Sequence, residues 1–273
     1  MINVEIKRGI YMKGKNNSES NTSNITNIEI NNHIEVNQYV TEQNNVFSVN
    51  ELVPMQRGVD DSMEKIADIT DEFSQTMEPI LRMYNAAMCV TTARLDIIKD
   101  EFKFRKQRCP IHHIDTRLKS AQSILGKLQK KDLNLTLGCA CNNIFDIAGV
   151  RVVCPYIKDV YLIRDRIMAQ DDLYIIDVKD YIENPKPNGY RSLHMIVRVP
   201  VYFMNKKQLV PVELQIRTLA MDLWASLEHD IKYKTISNGI VNTEDFSDEL
   251  LECSRLIYQA EEKMEHMNSA LEP

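Results

Sequence analysis

A carboxylate, an amide and a guanidinium stand at alternate positions (Glu213, Gln215 and Arg217) in the stretch VPVELQIRTLAMDLWASLEHD, residues 210–230. Alternate positions of a strand share one face, and the residues between them, Val212, Leu214 and Ile216, are apolar. One face of this strand is therefore core. The other is either a solvated rim or a surface that holds a metal, a proton or a phosphate. The segment continues into a helix carrying Trp224, Glu228 and His229.

Three further clusters carry similar chemistry. In DTRLKSAQSILGK, Arg117 and Lys119 precede a helix on which Ser123 and Lys127 share a face at i, i+4. Cations, a hydroxyl and a helix start suit an anion, although most basic helix faces are simply solvated. In FDIAGVRVVC, Asp146 precedes an apolar strand that contains Arg151. A guanidinium in so hydrophobic a strand needs a ligand or a carboxylate partner. In KPNGYRSLH, Pro187, Asn188 and Gly189 form a turn after Lys186. Tyr190, Ser192 and His194 then share one face of a strand, as a stacking and donor surface or as a solvated polar row. The sequence has neither a Walker P-loop nor a G-x-G-x-x-G motif, so a nucleotide would be held by side chains and not by a glycine loop.

The elements that must position these clusters are a mixed set. Helical patterns run from Asp61 to Pro79, from about 80 to 106 and over 120–131, and again over 158–170. Strand patterns cover 148–156, 173–182, 190–203 and 209–217, the last two joined as a hairpin through the polar NKKQ (205–208). This predicts an α+β fold with a mixed sheet of about five strands flanked by helices. At the C-terminus Phe246, Leu250, Cys253, Ile257, Ala260, Met264, Met267 and Leu271 are spaced 4-3-4-3-4-3-4. That heptad seam suits helix-to-helix packing, within the chain or between subunits.

The domain reading is a disordered Asn-rich tail over 1–58, a catalytic domain over 59–240 and an oligomerisation helix over 241–273. The tail segment NNSESNTSNITNIEINNHIEVNQ has too few apolar residues to offset its ordering entropy. The 273 residues are 44% apolar and 26% charged, and the net charge of −6 argues against general nucleic-acid binding. Six cysteines form no C-x-x-C pair, which fits reduced thiols and a cytoplasmic location. No apolar run approaches the roughly 18 residues of a membrane span.

In this order, TRLKSAQSILGK, DIAGVRVVC, YIENPKPNGYRSLH and VELQIRTLAMDLWASLEHDIKYK resemble the synthetase domain of the RelA/SpoT homologue family. The chain looks most like the single-domain small alarmone synthetases, over about residues 80–270. The resemblance implies a nucleotidyltransferase-like fold and GTP diphosphokinase activity. ATP donates its β,γ-diphosphate to the 3′-hydroxyl of GDP or GTP, giving ppGpp or pppGpp and AMP. By the same resemblance Asp146 and Glu213 hold Mg2+, and Glu213 deprotonates the hydroxyl. Arg117 and Arg151 sandwich the adenine, while Lys119, Ser123 and Lys127 hold ATP phosphates. Tyr190 stacks on the guanine, Asn188 reads its edge, and Lys186 and His194 meet the guanosine phosphates. Gln215 and Arg217 support the site.

Some family features do not carry over. No His-Asp hydrolase domain precedes the motifs, so synthesis without degradation is expected. The effector cleft of tetrameric relatives is lined by an acidic-aromatic segment, which reads PIHHID (110–115) here, so pppGpp activation does not follow from the resemblance. A homotetramer assembled through the C-terminal helix is expected. Two other readings are a toxic relative that pyrophosphorylates another acceptor such as tRNA, and a non-catalytic RNA-binding oligomer. Asn188 and Tyr190 argue against an adenine acceptor. A binding module would not need both Asp146 and Glu213.

Overall fold

The computed structural model describes residues 63–237 and 246–271. The reading of 1–58 as a tail lies outside the described residues.

The first helix, α1 (Met63–Phe104), is held by one stripe. Phe73, Met77, Ile80, Tyr84, Ala87, Thr91, Leu95 and Ile98 recur every three or four residues, and all are buried. The sequence reading ended one helix at Pro79 and began another beyond it. The helix instead runs through Pro79. Proline in a helix interior costs about 3 kcal/mol, and burial of the flanking Met77 and Ile80 offsets that cost.

Five strands follow: β1 (His113–Leu118), β2 (Ala148–Cys154), β3 (Tyr174–Asp180), β4 (Leu193–Phe203) and β5 (Lys206–Thr218). Their order in the sheet is β1-β2-β5-β4-β3, with β2 and β5 parallel and the other pairs antiparallel. The expected α+β class and mixed five-stranded sheet are present. Val212, Leu214 and Ile216 of β5 are fully buried, as are Val150 and Val152 of β2 and Met195 and Val197 of β4. They join the buried stripe of α1, and Val160, Ile163 and Ile167 of α4 (Ile157–Met168), in one core.

The β4–β5 hairpin turns at Met204 and Asn205, at φ 50° and 62°. Two consecutive left-handed residues match the twist of the strands they join. The turn was expected at NKKQ, but Lys206, Lys207 and Gln208 are already paired in β5. β1 was not read as a strand at all. Two short helices connect it to β2: α2 (Ala121–Lys130), capped by the Ser120 hydroxyl, and α3 (Leu137–Asn143), capped by Thr136.

β5 runs directly into α5 (Leu219–Ser237), and the described chain ends in α6 (Ser247–Leu271). Ser254 and Glu261 of α6 are buried, and Leu250, Ile257 and Tyr258 half-buried, so this face meets the rest of the chain. Phe246, Cys253, Ala260, Met264, Met267 and Leu271 of the heptad seam are exposed. Among the described residues no helix is long and apolar enough to cross a membrane.

Candidate functional site on the polar face of the sheet

Strand register assembles the polar residues from four different segments. Gly149 lies between Arg117 on one side and Glu213 on the other; Arg151 lies between Asp115 and Gln215; His194 pairs with Gln215. Residues directly opposite one another share a face. Asp115, Arg117, Gly149, Arg151, Glu213, Gln215 and His194 therefore form one polar surface across β1, β2, β5 and β4. Gly149 adds no side chain to that surface; a Cβ there would make only an ordinary contact, 3.6 Å from the Arg117 carbonyl. A cleft of about 470 Å³ results, lined among others by Arg117, Lys119, Asp146, Arg151, Glu213 and Gln215.

Asp146 sits at the foot of β2. Its Oδ2 accepts from Lys127 Nζ at 2.6 Å and lies 3.2 Å from Lys119 Nζ. Burial raises its pKa, but Lys127 and Lys119 outweigh burial and hold the carboxyl below the usual carboxylate range. Its Oδ1 is buried with no hydrogen-bond partner. An ionised, half-desolvated oxygen left without a donor is suited to a hard cation. Among the described residues no group of three or more metal-ligating side chains is present. Two carboxylates completed by phosphate and water oxygens are the donor set that magnesium accepts, so Asp146 and Glu213 fit that ion.

Glu213 lies in a continuous polar chain. Tyr190 Oη is 2.8 Å from His194 Nε2, and His194 Nδ1 is 3.4 Å from Glu213 Oε1. Glu213 Oε2 accepts from Gln215 Nε2 at 2.9 Å, and Gln215 Oε1 accepts from Arg217 at 2.6 Å. Burial raises the Glu213 pKa, but His194 and Gln215 outweigh it and leave the carboxyl lower than usual, while the nearby Asp146 charge pushes it up. Glu213 is thus an ionised acceptor at neutral pH. Asp222 of α5 ends the chain, with Oδ1 3.4 Å from both Arg217 and Arg151.

A second group adjoins the cleft. The turn before β4 brings Lys186, Asn188 and Tyr190 to the His194 side of Glu213. Lys186 Nζ is 4.6 Å from the Tyr181 ring centroid and 5.0 Å from that of Tyr190. Tyr190 also meets His194 and Trp224 edge-on, with the Arg217 guanidinium 5.8 Å from its centroid. Asn188 donates to Glu228 Oε1 at 3.1 Å.

The sequence candidates therefore fall into two joined halves. Arg117, Lys119, Lys127, Asp146 and Arg151 form one; Lys186, Asn188, Tyr190, His194 and Arg217 form the other; Glu213 and Gln215 join them. Ser123 stands apart: it is exposed and bonded to the Ser120 hydroxyl at 2.8 Å. Ser192 lies just ahead of β4, fully buried; its hydroxyl donates to the Ile216 carbonyl at 3.3 Å and lies beside the Tyr190 hydroxyl, whose pKa burial raises and Ser192 helps to lower. His229 is exposed and outside both halves. Sequence reasoning missed Asp222 and Tyr181. Asp222 meets the nearby Arg217 but also Arg151 of a distant strand, and Tyr181 meets Lys186, Tyr190 and His194 across the turn before β4; neither has a spacing that marks it.

The chain is similar to known proteins in both sequence and fold. Residues 116–238 match a family model described as a region found in RelA / SpoT proteins. GTP pyrophosphokinase YwaC of Bacillus subtilis is 42% identical over 184 residues, 67% of this chain and 86% of that protein. The structure resembles small alarmone synthetase 2 of the same organism, at a TM-score of 0.63 and 40% identity, over 71% of this chain and 98% of the other. It also resembles small alarmone synthetase 1 of B. subtilis bound to its product pppGpp, at a TM-score of 0.66 and 30% identity, over 73% of this chain and the whole of that one.

Proposed function

The chain belongs to the RelA/SpoT family, and from that premise we propose that it is a GTP pyrophosphokinase making ppGpp and pppGpp. ATP is the donor, and GDP or GTP accepts the diphosphate at its 3′-hydroxyl. The observation that carries this reading is Glu213, an ionised carboxylate at the junction of the two halves.

In the reaction, the 3′-oxygen of the acceptor attacks the β-phosphorus of ATP. The bond from that phosphorus to the α-phosphate oxygen breaks, and AMP leaves. Glu213 takes the hydroxyl proton; its low pKa keeps it unprotonated, and Gln215 and His194 hold its oxygens in place. Phosphoryl transfer asks the protein mainly for alignment and charge neutralisation. Lys119 and Lys127, which neutralise Asp146 in this structure, hold the donor phosphates in the complex. Arg117 and Arg151 take the adenine between their guanidinium planes, with Asp222 orienting Arg151. Ser123, one turn before Lys127, would add a hydroxyl to the phosphate site by turning from its bond to Ser120 in the complex. Asp146 and Glu213 hold Mg2+, which when bound neutralises charge on the donor oxygens.

On the acceptor side Tyr190 stacks on guanine and Asn188 reads its edge. Lys186 and His194 meet the phosphates, and Arg217 holds Gln215. The enzyme acts in the cytoplasm as a homotetramer built through α6. In this reading the synthetase domain spans 59–240 and the oligomerisation helix 241–273.

The test is transfer of label from γ-labelled ATP to GMP, GDP, GTP or tRNA in Mg2+, with and without EDTA. Labelled ppGpp or pppGpp, lost in EDTA, is expected. Label in tRNA alone would replace this reading with the toxic transferase.

A further inference from the structure

We propose that α6 positions the acceptor half of the site, and that it does so through Ser254; this rests on the reading of the 186–190 turn as the acceptor-binding segment.

The turn is closed by its own backbone: Gly189 N–H donates to the Lys186 carbonyl at 2.8 Å, and Lys186 N–H to that of Tyr190 at 3.1 Å. Gly189 has φ +88°, a conformation that side chains disfavour. In that conformation its carbonyl meets α6, where the Ser254 hydroxyl donates to it at 2.6 Å. The approach is so close that a Cβ on Gly189 would lie 2.7 Å from Ser254 Cβ. Ser254 is only 6% exposed, so water does not readily replace the bond.

Two further contacts make α6 the wall behind the turn. The Arg191 guanidinium, one residue beyond Tyr190, lies 3.7 Å from the Tyr258 ring centroid. The Leu250 carbonyl accepts from the Trp224 indole at 2.9 Å, and Trp224 meets the Tyr190 ring. α6 thus holds the chain on both sides of Tyr190 and the residue against which Tyr190 packs. Ser254 is a positioning residue: it fixes the backbone from which Lys186, Asn188 and Tyr190 reach the acceptor. A substrate group displaced by a fraction of an ångström loses binding without any lost contact of its own.

The experiment compares the full chain with Ser254→Ala in label transfer, measuring KM for GDP and for ATP separately, alongside Tm. Loss of one buried hydrogen bond corresponds to about five-fold. KM for GDP is therefore expected to rise about five-fold, with KM for ATP nearly unchanged and Tm lowered by about 2–4 °C, the cost of one buried bond. An unchanged KM for GDP overturns the proposal. So does an equal rise in both KM values, which would mark a general loosening of the fold. If the unsubstituted protein transfers no label to GDP, the functional reading itself fails, and this inference falls with it.

Discussion

Glu213 and His194 are coupled in a way that a pH profile reads directly. The carboxylate is half-buried, and burial alone would raise its pKa; the facing imidazole and the Gln215 amide reverse that shift. If Glu213 is the base, as proposed, kcat should hold down to a pH below the ordinary glutamate value and fall only beneath it. In His194→Ala the largest opposing group is gone, and burial prevails. The acid limb of the kcat profile should then move to higher pH, beyond any change in KM for the acceptor. A limb at the same pH in both proteins would show that His194 does not tune Glu213. The charged groups of the site were legible in the sequence because alternation along a single strand places Glu213, Gln215 and Arg217 together. The partners that orient them were not. Asp222 meets Arg151 from a different element, and Lys127 reaches Asp146 across 19 residues. Such pairings exist only after the sheet has formed.

At the scale of elements, the docked face of α6 contains a buried carboxyl. Glu261 is 4% exposed; burial pushes its pKa up to about 7, against a hydrogen bond from Thr218 and the attraction of Arg191, with Glu265 and Glu262 raising it further. Unfolded, it titrates at the ordinary glutamate value. Between those two pH values the unfolded chain has already released a proton that the folded chain keeps. Stability therefore falls as pH rises through that window and levels off above about 7. The effect amounts to roughly 3 kcal/mol at most. Glu261→Gln should flatten this part of the Tm profile and raise Tm at pH 8. A variant whose profile tracks that of the unsubstituted protein would contradict it. The strands that could be read in advance were the alternating or β-branched ones, as in β5 and β2. β1 could not, because HIDTRL offers only Ile114 and Leu118 as apolar anchors, both half-buried on an edge strand. α3 could not either: LGCACNN is too short for a helical period. Pro79 misled for the opposite reason, since a local helix breaker was overridden by the core around it.

Across the whole molecule, the heptad residues that do not meet the chain's own core remain exposed. Met264, Met267 and Leu271 are 51%, 57% and 84% exposed. On α5, Leu219, Leu223, Leu227 and Ile231 recur at four-residue spacing and are exposed as well. Apolar stripes on two neighbouring helices are what a helical subunit interface requires. In light scattering, the unsubstituted chain should show a multiple of its 31.6 kDa mass. Met264→Glu with Met267→Glu should lower that mass, and an unaltered assembly would rule out the seam. Ser254, on an adjoining face of the same helix, holds the Gly189 turn, so if α6 builds the interface, assembly and acceptor binding would meet on one element.

The most direct test of the account is single-turnover transfer of label from γ-labelled ATP to GDP, in the unsubstituted chain and in Glu213→Gln. General-base removal costs about 10²–10⁴-fold, and the neutral amide would also weaken the proposed magnesium site. The account predicts a loss in that range, with GDP still bound. A Glu213→Gln chain that transfers label within a few-fold of the unsubstituted rate would remove Glu213 from the chemistry, and with it the polar face of the sheet as the catalytic surface.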